Sequence, residues 1–393
     1  MRTILQKSLV LFLALVLLLP LCPIHAETSQ PVAIAENVSL NLPCKSAILI
    51  EQTTGEVLYE QNPDEKLPIA SVTKIMTLLL VMEHLENGSI SLSDLVPISE
   101  NAASMGGSQV YLEVGESITL DEVLKAVFVS SANDGAVALA ELVSGTMEGF
   151  VAAMNEKAAK LGMTNTVFYN PTGLDDGETN LSSAKDVAIM SKALLKYEKI
   201  YDYTTIWTDT IRDGAFGLAN TNKLIRFYPG ATGLKTGSTA KAKYCVSASA
   251  KRADLALCAV VLAGESSADR FQAAKTMLDY GFANFAYYQP EKISLEPIRV
   301  WGGTKDSVSL SSDGTGILLS KADANGITAK VELAEELQAP VEKGQSVGEI
   351  LYTKGDKVLH RVPILTASSV DSLSFGQIFS RLLLLFLTGN TDA

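Results

Sequence analysis

One apolar run constrains this chain more than any other stretch. Ile75 to Leu85 reads Ile-Met-Thr-Leu-Leu-Leu-Val-Met-Glu-His-Leu; Leu67-Pro68-Ile69-Ala70 and Ser71-Val72-Thr73-Lys74 lead into it, and Asn87-Gly88 ends it. Asn-Gly just past the last apolar residue is a common helix stop, so the run predicts a helix with Ser71 at or near its N-terminus. Residues three apart share a helix face, which brings the Lys74 amine within reach of the Ser71 hydroxyl. Serine is a weak nucleophile until a neighbour takes its proton. Lysine can take it only if burial or a second cation lowers its pKa. The helix N-terminus adds partial positive charge that favours an oxyanion. The plainer reading of the same residues is that Ser71 caps the helix.

Two later triplets favour chemistry. Ser131-Ala132-Asn133 falls between two apolar helical patterns, Asp121 to Phe128 and Ala136 to Val143. Polar residues at such a junction can be a capping turn, or can hold a substrate amide and relay a proton. Lys235-Thr236-Gly237 lies on a strand-like stretch from Gly233 to Thr239. Ser-x-x-Lys, Ser-x-Asn and Lys-Thr-Gly in this order form the serine set of the penicillin-recognising enzymes. Each triplet is weak alone; order, spacing and context together are specific.

The histidines support lysine as base. Only His25, His84 and His360 occur. His84 is thirteen positions past Ser71 on the same predicted helix, on the order of 20 Å away. His360 lies in a separate C-terminal region. A Ser-His-Asp mechanism therefore has no histidine to use. No Cys or His cluster suggests a metal, and no cofactor is expected.

Met1 to Ala26 reads as a secretory signal peptide: Arg2 and Lys7, an unbroken apolar run from Leu9 to Leu19, then Pro20, Pro23 and the small Ala26. A retained N-terminal anchor is the alternative. Leu21 before Cys22 argues against a lipoprotein. Removing the segment lowers the formal charge from −12 to −14, which argues against a nucleic-acid binder, since that needs a basic face. Cys44, Cys245 and Cys258 then remain, an odd number that makes no disulfide framework; Cys245 and Cys258 sit in apolar strand-like segments and pack as small hydrophobes.

Along the chain, Ser46 to Glu60 predicts a hairpin, and Gly233 to Thr239, Tyr244 to Ala250 and Leu255 to Leu262 an antiparallel meander closed by a helix from Arg270 to Tyr280. Helices and strands are interleaved through hairpins rather than βαβ units, so the class is α+β. Composition changes near Tyr287-Tyr288-Gln289-Pro290, and short alternating strands with Gly turns run to about Leu365, predicting a separate small β domain. The apolar tail, Ser380-Arg381-Leu382-Leu383-Leu384-Leu385-Phe386-Leu387, is too short to span a bilayer. It is suited either to lie in a membrane interface or to dock on the β domain.

These residues resemble the serine-type D-alanyl-D-alanine carboxypeptidases, the low-molecular-mass penicillin-binding proteins, from about Ala47 to Phe285, with Phe168-Tyr169-Asn170-Pro171 and Tyr244-Cys245 also in family positions. The chain departs from the family at Thr172, often His there, and at Lys243, where Gly is expected. The resemblance implies an antiparallel sheet flanked by helices with a helical subdomain, a β-rich second domain and a C-terminal amphipathic anchor. The expected organisation is a signal peptide (1–26), a carboxypeptidase domain (27–287), a small β domain (288–366) and an anchor segment (367–393). The implied roles are Ser71 as nucleophile, Lys74 as base, Ser131 as proton relay and Asn133 as holder of the substrate backbone. Lys235 and Thr236 bind the terminal carboxylate, and the backbone N–H groups of Ser71 and Ser238 form an oxyanion hole. Gly237 and Ser238 complete the substrate-binding strand, and Arg270 assists Lys235 or the carboxylate, with a surface arginine as the plainer reading. Implied partners are peptidoglycan stem peptides, β-lactams as covalent inhibitors and the outer face of the cytoplasmic membrane, with the protein exported. Alternatives are a β-lactamase, although no Glu-x-x-Leu-Asn lies between Asn133 and Lys235, a D,D-endopeptidase, or a non-catalytic wall-binding or penicillin-sensing protein.

Overall fold

The computed structural model describes residues 38–388 apart from Asp176 and residues 313–315. The expected signal peptide lies outside the described residues.

A five-stranded antiparallel sheet carries the larger part of the molecule. Its strands are β1 (Ser46–Glu51), β2 (Val57–Gln61), β3 (Ala231–Thr239), β4 (Lys243–Arg252) and β5 (Leu255–Gly264), in the order β2-β1-β5-β4-β3. Its central strands read as continuous apolar runs because both sheet faces are covered; side chains alternate across a strand, so each face needs its own apolar set. Ile48, Ile50, Cys258 and Val260 enter the main core. Leu49 and Leu257 point the other way, onto the closing helix at Gly281, where an added Cβ would sit 2.5 Å from Leu257. Helix and sheet approach too closely there for any side chain.

The described helices are α1 (Lys74–Glu86), α2 (Asn133–Ser144), α3 (Met147–Lys160), α4 (Ala184–Leu195), α5 (Ser267–Asn284) and α6 (Phe375–Thr388), with shorter turns between. Helix α5 packs on β5 and β4, and α4 on β5 and β1. Helix α1 is buried continuously from Lys74 to Met82, between α4, α2 and the sheet. A helix that is apolar all round must be enclosed on every side, which accounts for the unbroken apolar run from Ile75. The α+β class and the flanked antiparallel sheet expected from the sequence are what the chain forms.

One predicted helix is interrupted. Instead of running from Asp121 to Phe128, it is α-helical over Leu120–Lys125 and widens into a π-helical turn at Ala126–Ser130. The turn ends at Ser131, which is left-handed with φ 63° and ψ 32°. The extra residue in a π turn displaces the chain beyond it, and here it sets Ser131 just ahead of α2.

Strand β6 (Phe285–Tyr288) comes directly after α5 and pairs with Ile317–Ser320, so a strand joins the two compositional regions near Tyr287-Tyr288. The C-terminal strands form small sheets around their own core of Ile298, Ile317, Leu319, Ile350, Val362 and Ile364. The chain beyond 366 is still held there. Val370 is buried with Val300, Val308 and Val341, and Leu373 N donates to Gly302 O at 2.8 Å. Helix α6 begins only at Phe375.

Candidate active site

Three walls converge on Ser71. The first is its own turn, a single 3₁₀ turn at Ala70–Thr73 leading into α1. Lys74 is completely buried. Its Nζ lies 2.9 Å from Ser71 Oγ, 2.6 Å from Asn133 Oδ1 and 2.8 Å from the Thr172 carbonyl oxygen. None of these partners is a carboxylate. Burial first, and then the Lys235 cation, hold the Lys74 amine well below the ordinary lysine range, with the more distant Asp134 opposing them. A neutral amine has two N–H groups and a lone pair. Once it is deprotonated, such an amine keeps its two N–H groups for the Asn133 and Thr172 carbonyls and turns its lone pair to the Ser71 hydroxyl.

The second wall is the Ser131–Asn133 turn. Asn133 is pinned by its own N–H on Ser108 O and by Nδ2 on Gly106 O, both at 2.7 Å, which leaves Oδ1 aimed at Lys74. Its first contact is thus with Lys74. Ser131 is 4% exposed, and its hydroxyl has no protein hydrogen bond among the described residues. Next to the turn, Asp134 is buried and accepts from the backbone of Val110, Leu112 and Gly135, fixing the start of α2.

The third wall is β3. Lys235 is buried, and its Nζ donates to Thr236 O at 3.1 Å. Burial, and then the Arg270 cation, lower its pKa to about 7. Thr236 Oγ1 donates to Thr221 Oγ1 at 2.7 Å. A Cβ on Gly237 would lie 2.8 Å from Ser71 N, so the glycine lets the strand pass against the Ser71 backbone. Ser238 comes next on the same strand, at the edge of a surface cavity. Arg270 is only 8% exposed, which excludes the surface reading. Its Nη1 donates to Gly237 O at 3.0 Å and Cys245 O at 3.2 Å; it braces the strand and depresses Lys235 through space.

Sequence patterns alone did not reveal the segment that supplies the Thr172 carbonyl. Asn170 Oδ1 accepts from Thr172 N, Thr172 Oγ1 and Gly173 N. Asn180 accepts from the Tyr169 and Asn170 N–H groups and donates to Asn170 O and Thr73 Oγ1. Thr77 Oγ1 donates to Pro171 O at 2.7 Å. The signal in the sequence was Asn170-Pro171-Thr172-Gly173, a side-chain-stabilised turn; its function lies in a backbone oxygen. The other departure, Lys243, has φ 54°, a backbone setting that glycine tolerates best. Cys245 and Cys258 are buried free thiols, as expected, and Cys44 is a half-buried one.

Fold and site together place the chain among the serine enzymes of the penicillin-recognising class. It belongs to the D-alanyl-D-alanine carboxypeptidase family, peptidase S11, which it matches over residues 30–266; residues 283–372 match the C-terminal domain of penicillin-binding protein 5. The D-alanyl-D-alanine carboxypeptidase DacF of Bacillus subtilis is 44% identical over 338 residues, 84% of this chain and 87% of that protein. DacC of Escherichia coli is 33% identical, covering 91% of this chain and 92% of its own. The crystal structure of penicillin binding protein 5 from Haemophilus influenzae superposes with a TM-score of 0.76 at 30% identity, over 86% of this chain and all of that one. The chain is therefore a serine-type D-Ala-D-Ala carboxypeptidase, a hydrolase, as its motifs led us to expect; the alternatives find less support.

Proposed function

We propose that Ser71 removes the terminal D-alanine from peptidoglycan pentapeptide stems through an acyl-enzyme. The observation that carries this reading is the 2.9 Å contact between Ser71 Oγ and a fully buried Lys74 Nζ whose other partners are carbonyls. Ser71 Oγ attacks the carbonyl between the two terminal D-alanines while Lys74 takes its proton. The Ser71 and Ser238 N–H groups hold the oxyanion. Ser131 hands a proton to the leaving amine, D-alanine departs, and water then cleaves the Ser71 ester to release the shortened peptide. Strand β3 is the last strand of its sheet, so the substrate adds along its open edge as a further strand. The terminal carboxylate meets Lys235 and Thr236, Gly237 gives the peptide room at Ser71, and Arg270 holds the strand. Asn133 serves both Lys74 and the substrate backbone. β-Lactams would acylate the same oxygen.

The domain reading is part of the proposal: 27–287 for the chemistry, 288–366 as a small β-rich domain that the buried Val370 and the Leu373 hydrogen bond extend to 373, and a membrane-associated tail beyond it. The signal-peptide pattern of Met1 to Ala26 supports export, and the exposed apolar residues of α6, Phe375, Phe379, Leu382, Phe386 and Leu387 among them, support attachment to the outer face of the cytoplasmic membrane. No single helix among the described residues is long and apolar enough to cross a membrane.

The deciding experiment is Ser71→Ala. It should abolish D-alanine release from a D-Ala-D-Ala pentapeptide and covalent labelling by penicillin together. A covalent penicillin adduct on the alanine variant would move the nucleophile elsewhere.

A further inference from the structure

Beyond the third triplet lies a cavity of about 330 Å³ lined by Ser238, Thr239, Ala240, Lys243, Tyr244 and Glu265. Lys243 opens β4 directly across the hairpin from Thr239. Its φ of 54° penalises any residue that carries a Cβ, yet the chain places a long cation there. Lys243 Nζ lies 2.5 and 2.6 Å from the two carboxylate oxygens of Glu265, the residue immediately after β5. Both side chains are partly open to solvent, 38% and 66% exposed. Neither has another hydrogen-bond partner among the described residues. The rim therefore presents one cation and one anion side by side, each with capacity to spare.

The proposed substrate pose, on which this inference rests, determines which part of the peptide meets them. With the terminal carboxylate at Lys235 and Thr236, and the scissile carbonyl beside Gly237 and Ser238, the upstream peptide continues past Thr239. An extended chain advances about 3.3 Å per residue, so the residue preceding the two terminal alanines comes alongside Thr239 at the open edge of β3. Lys243 pairs with Thr239 from the inner side, with its side chain on the same face of the sheet, so a long side chain at that residue reaches it by passing over Thr239. We propose that Lys243 and Glu265 form a subsite for the side chain of that residue, and that the subsite takes a side chain ending in both an ammonium and a carboxylate. Such an end exchanges partners with the rim pair: its carboxylate meets Lys243, its ammonium meets Glu265, and no charge is left alone. A side chain ending in an ammonium only would satisfy Glu265 by stripping it from Lys243.

The test compares kcat/KM for D-alanine release by the full chain from three pentapeptides. Their third residues are meso-diaminopimelate, the same residue amidated at its free side-chain carboxylate, and lysine. Partly exposed charge pairs act modestly, so the wild type should favour the zwitterionic peptide over its amide by about fivefold. Lys243→Gly, which relieves the left-handed backbone, should bring that ratio to about one. Glu265→Gln, which leaves Lys243 without its anion, should instead raise that ratio above the wild-type value without altering the backbone. Ratios that stay the same in wild type and both variants overturn the subsite while leaving the pose standing. Failure of penicillin to label Ser71 in the wild type overturns the pose, and the subsite with it.

Discussion

Gly173 sits directly on the Ala70 carbonyl: a Cβ at Gly173 would lie 1.9 Å from Ala70 O and 2.9 Å from Ser71 N. The loop that supplies the Thr172 carbonyl to Lys74 is thereby pressed against the turn that presents Ser71. Lys74 and Ser71 are thus held through one contact between two backbones.

Gly173→Ala should break that contact. The residue has φ +79°, which disfavours alanine, and the clash is with backbone that cannot rotate away. We expect a loss of at least ~3 kcal/mol of stability, read as a fall in urea midpoint, together with slower penicillin acylation in the protein that remains folded. Wild-type stability and acylation in Gly173→Ala would show that the loop and the Ser71 turn are not packed as described.

Lys74→Arg tests the base. Arginine keeps the charge but does not deprotonate near neutrality, so acylation should fall by roughly 100- to 10,000-fold, the usual worth of a general base, with the far-ultraviolet circular dichroism unchanged. In the wild type, burial and the Lys235 cation hold the Lys74 pKa well below the ordinary lysine range, which favours the neutral amine that a base needs. Through Lys74, acylation should fall on the acid side, where the amine becomes protonated. Near-normal acylation by the arginine variant rules out the role.

Lys235 should govern the alkaline side. Its pKa of about 7 means that the empty site loses its cation as pH rises through that value. KM for a free-acid peptide should therefore climb above about pH 7, while KM for the C-terminally amidated peptide stays level. Stability moves the other way. The ordinary lysine value is 10.5, so between about pH 7 and 10.5 the unfolded chain binds more protons at this residue than the folded one, and folding gains stability with rising pH. Lys235→Met should remove that part of the rise. Parallel pH profiles for the two peptides would place Lys235 away from the carboxylate.

What was legible in the sequence was whatever a side chain announces. Ser71, Lys74, Ser131, Asn133 and Lys235 were named from their types and spacing, and the Ile75 to Leu85 run and the 233–262 meander from their apolar patterns. What was not legible acts through the backbone or through three-dimensional closure. The Thr172 oxygen that holds Lys74 belongs to no side chain, so the sequence showed only a threonine where histidine is frequent. The π turn before Ser131 has no periodicity that separates it from the helix it continues. Arg270 was singled out, but its targets, the Gly237 and Cys245 carbonyls, are set by how α5 crosses the sheet. Lys243 was noted as a departure from glycine, and only its φ explains why glycine was the expectation.

The C-terminal helix carries a prediction of its own. The described chain up to Leu373 belongs to the β domain: Val370 N and O pair with Val341, Thr304 N donates to Asp371 O, and Leu373 N donates to Gly302 O. From Phe375 the pattern changes. Phe375, Phe379, Leu382, Phe386 and Leu387 are all more than half exposed, and among the described residues Arg381 has a single polar partner, Asp306, at 3.5 Å. Contiguous apolar surface of this kind marks a contact with a membrane or a partner. A helix with one cation among large apolar residues suits the lipid interface, with Arg381 at the headgroups. Removing the helix should cost the fold little, whereas cutting before Val370 would open the small cluster around Val341. We therefore expect a chain ending at Ser374 to remain folded, with an unchanged thermal midpoint and full kcat/KM on small peptides. The full chain should sediment with phosphatidylglycerol vesicles, and the shortened chain should not. Unfolding of the shortened chain would mean that α6 docks on the β domain, and a full chain that ignores the vesicles would mean that its apolar face serves something other than lipid.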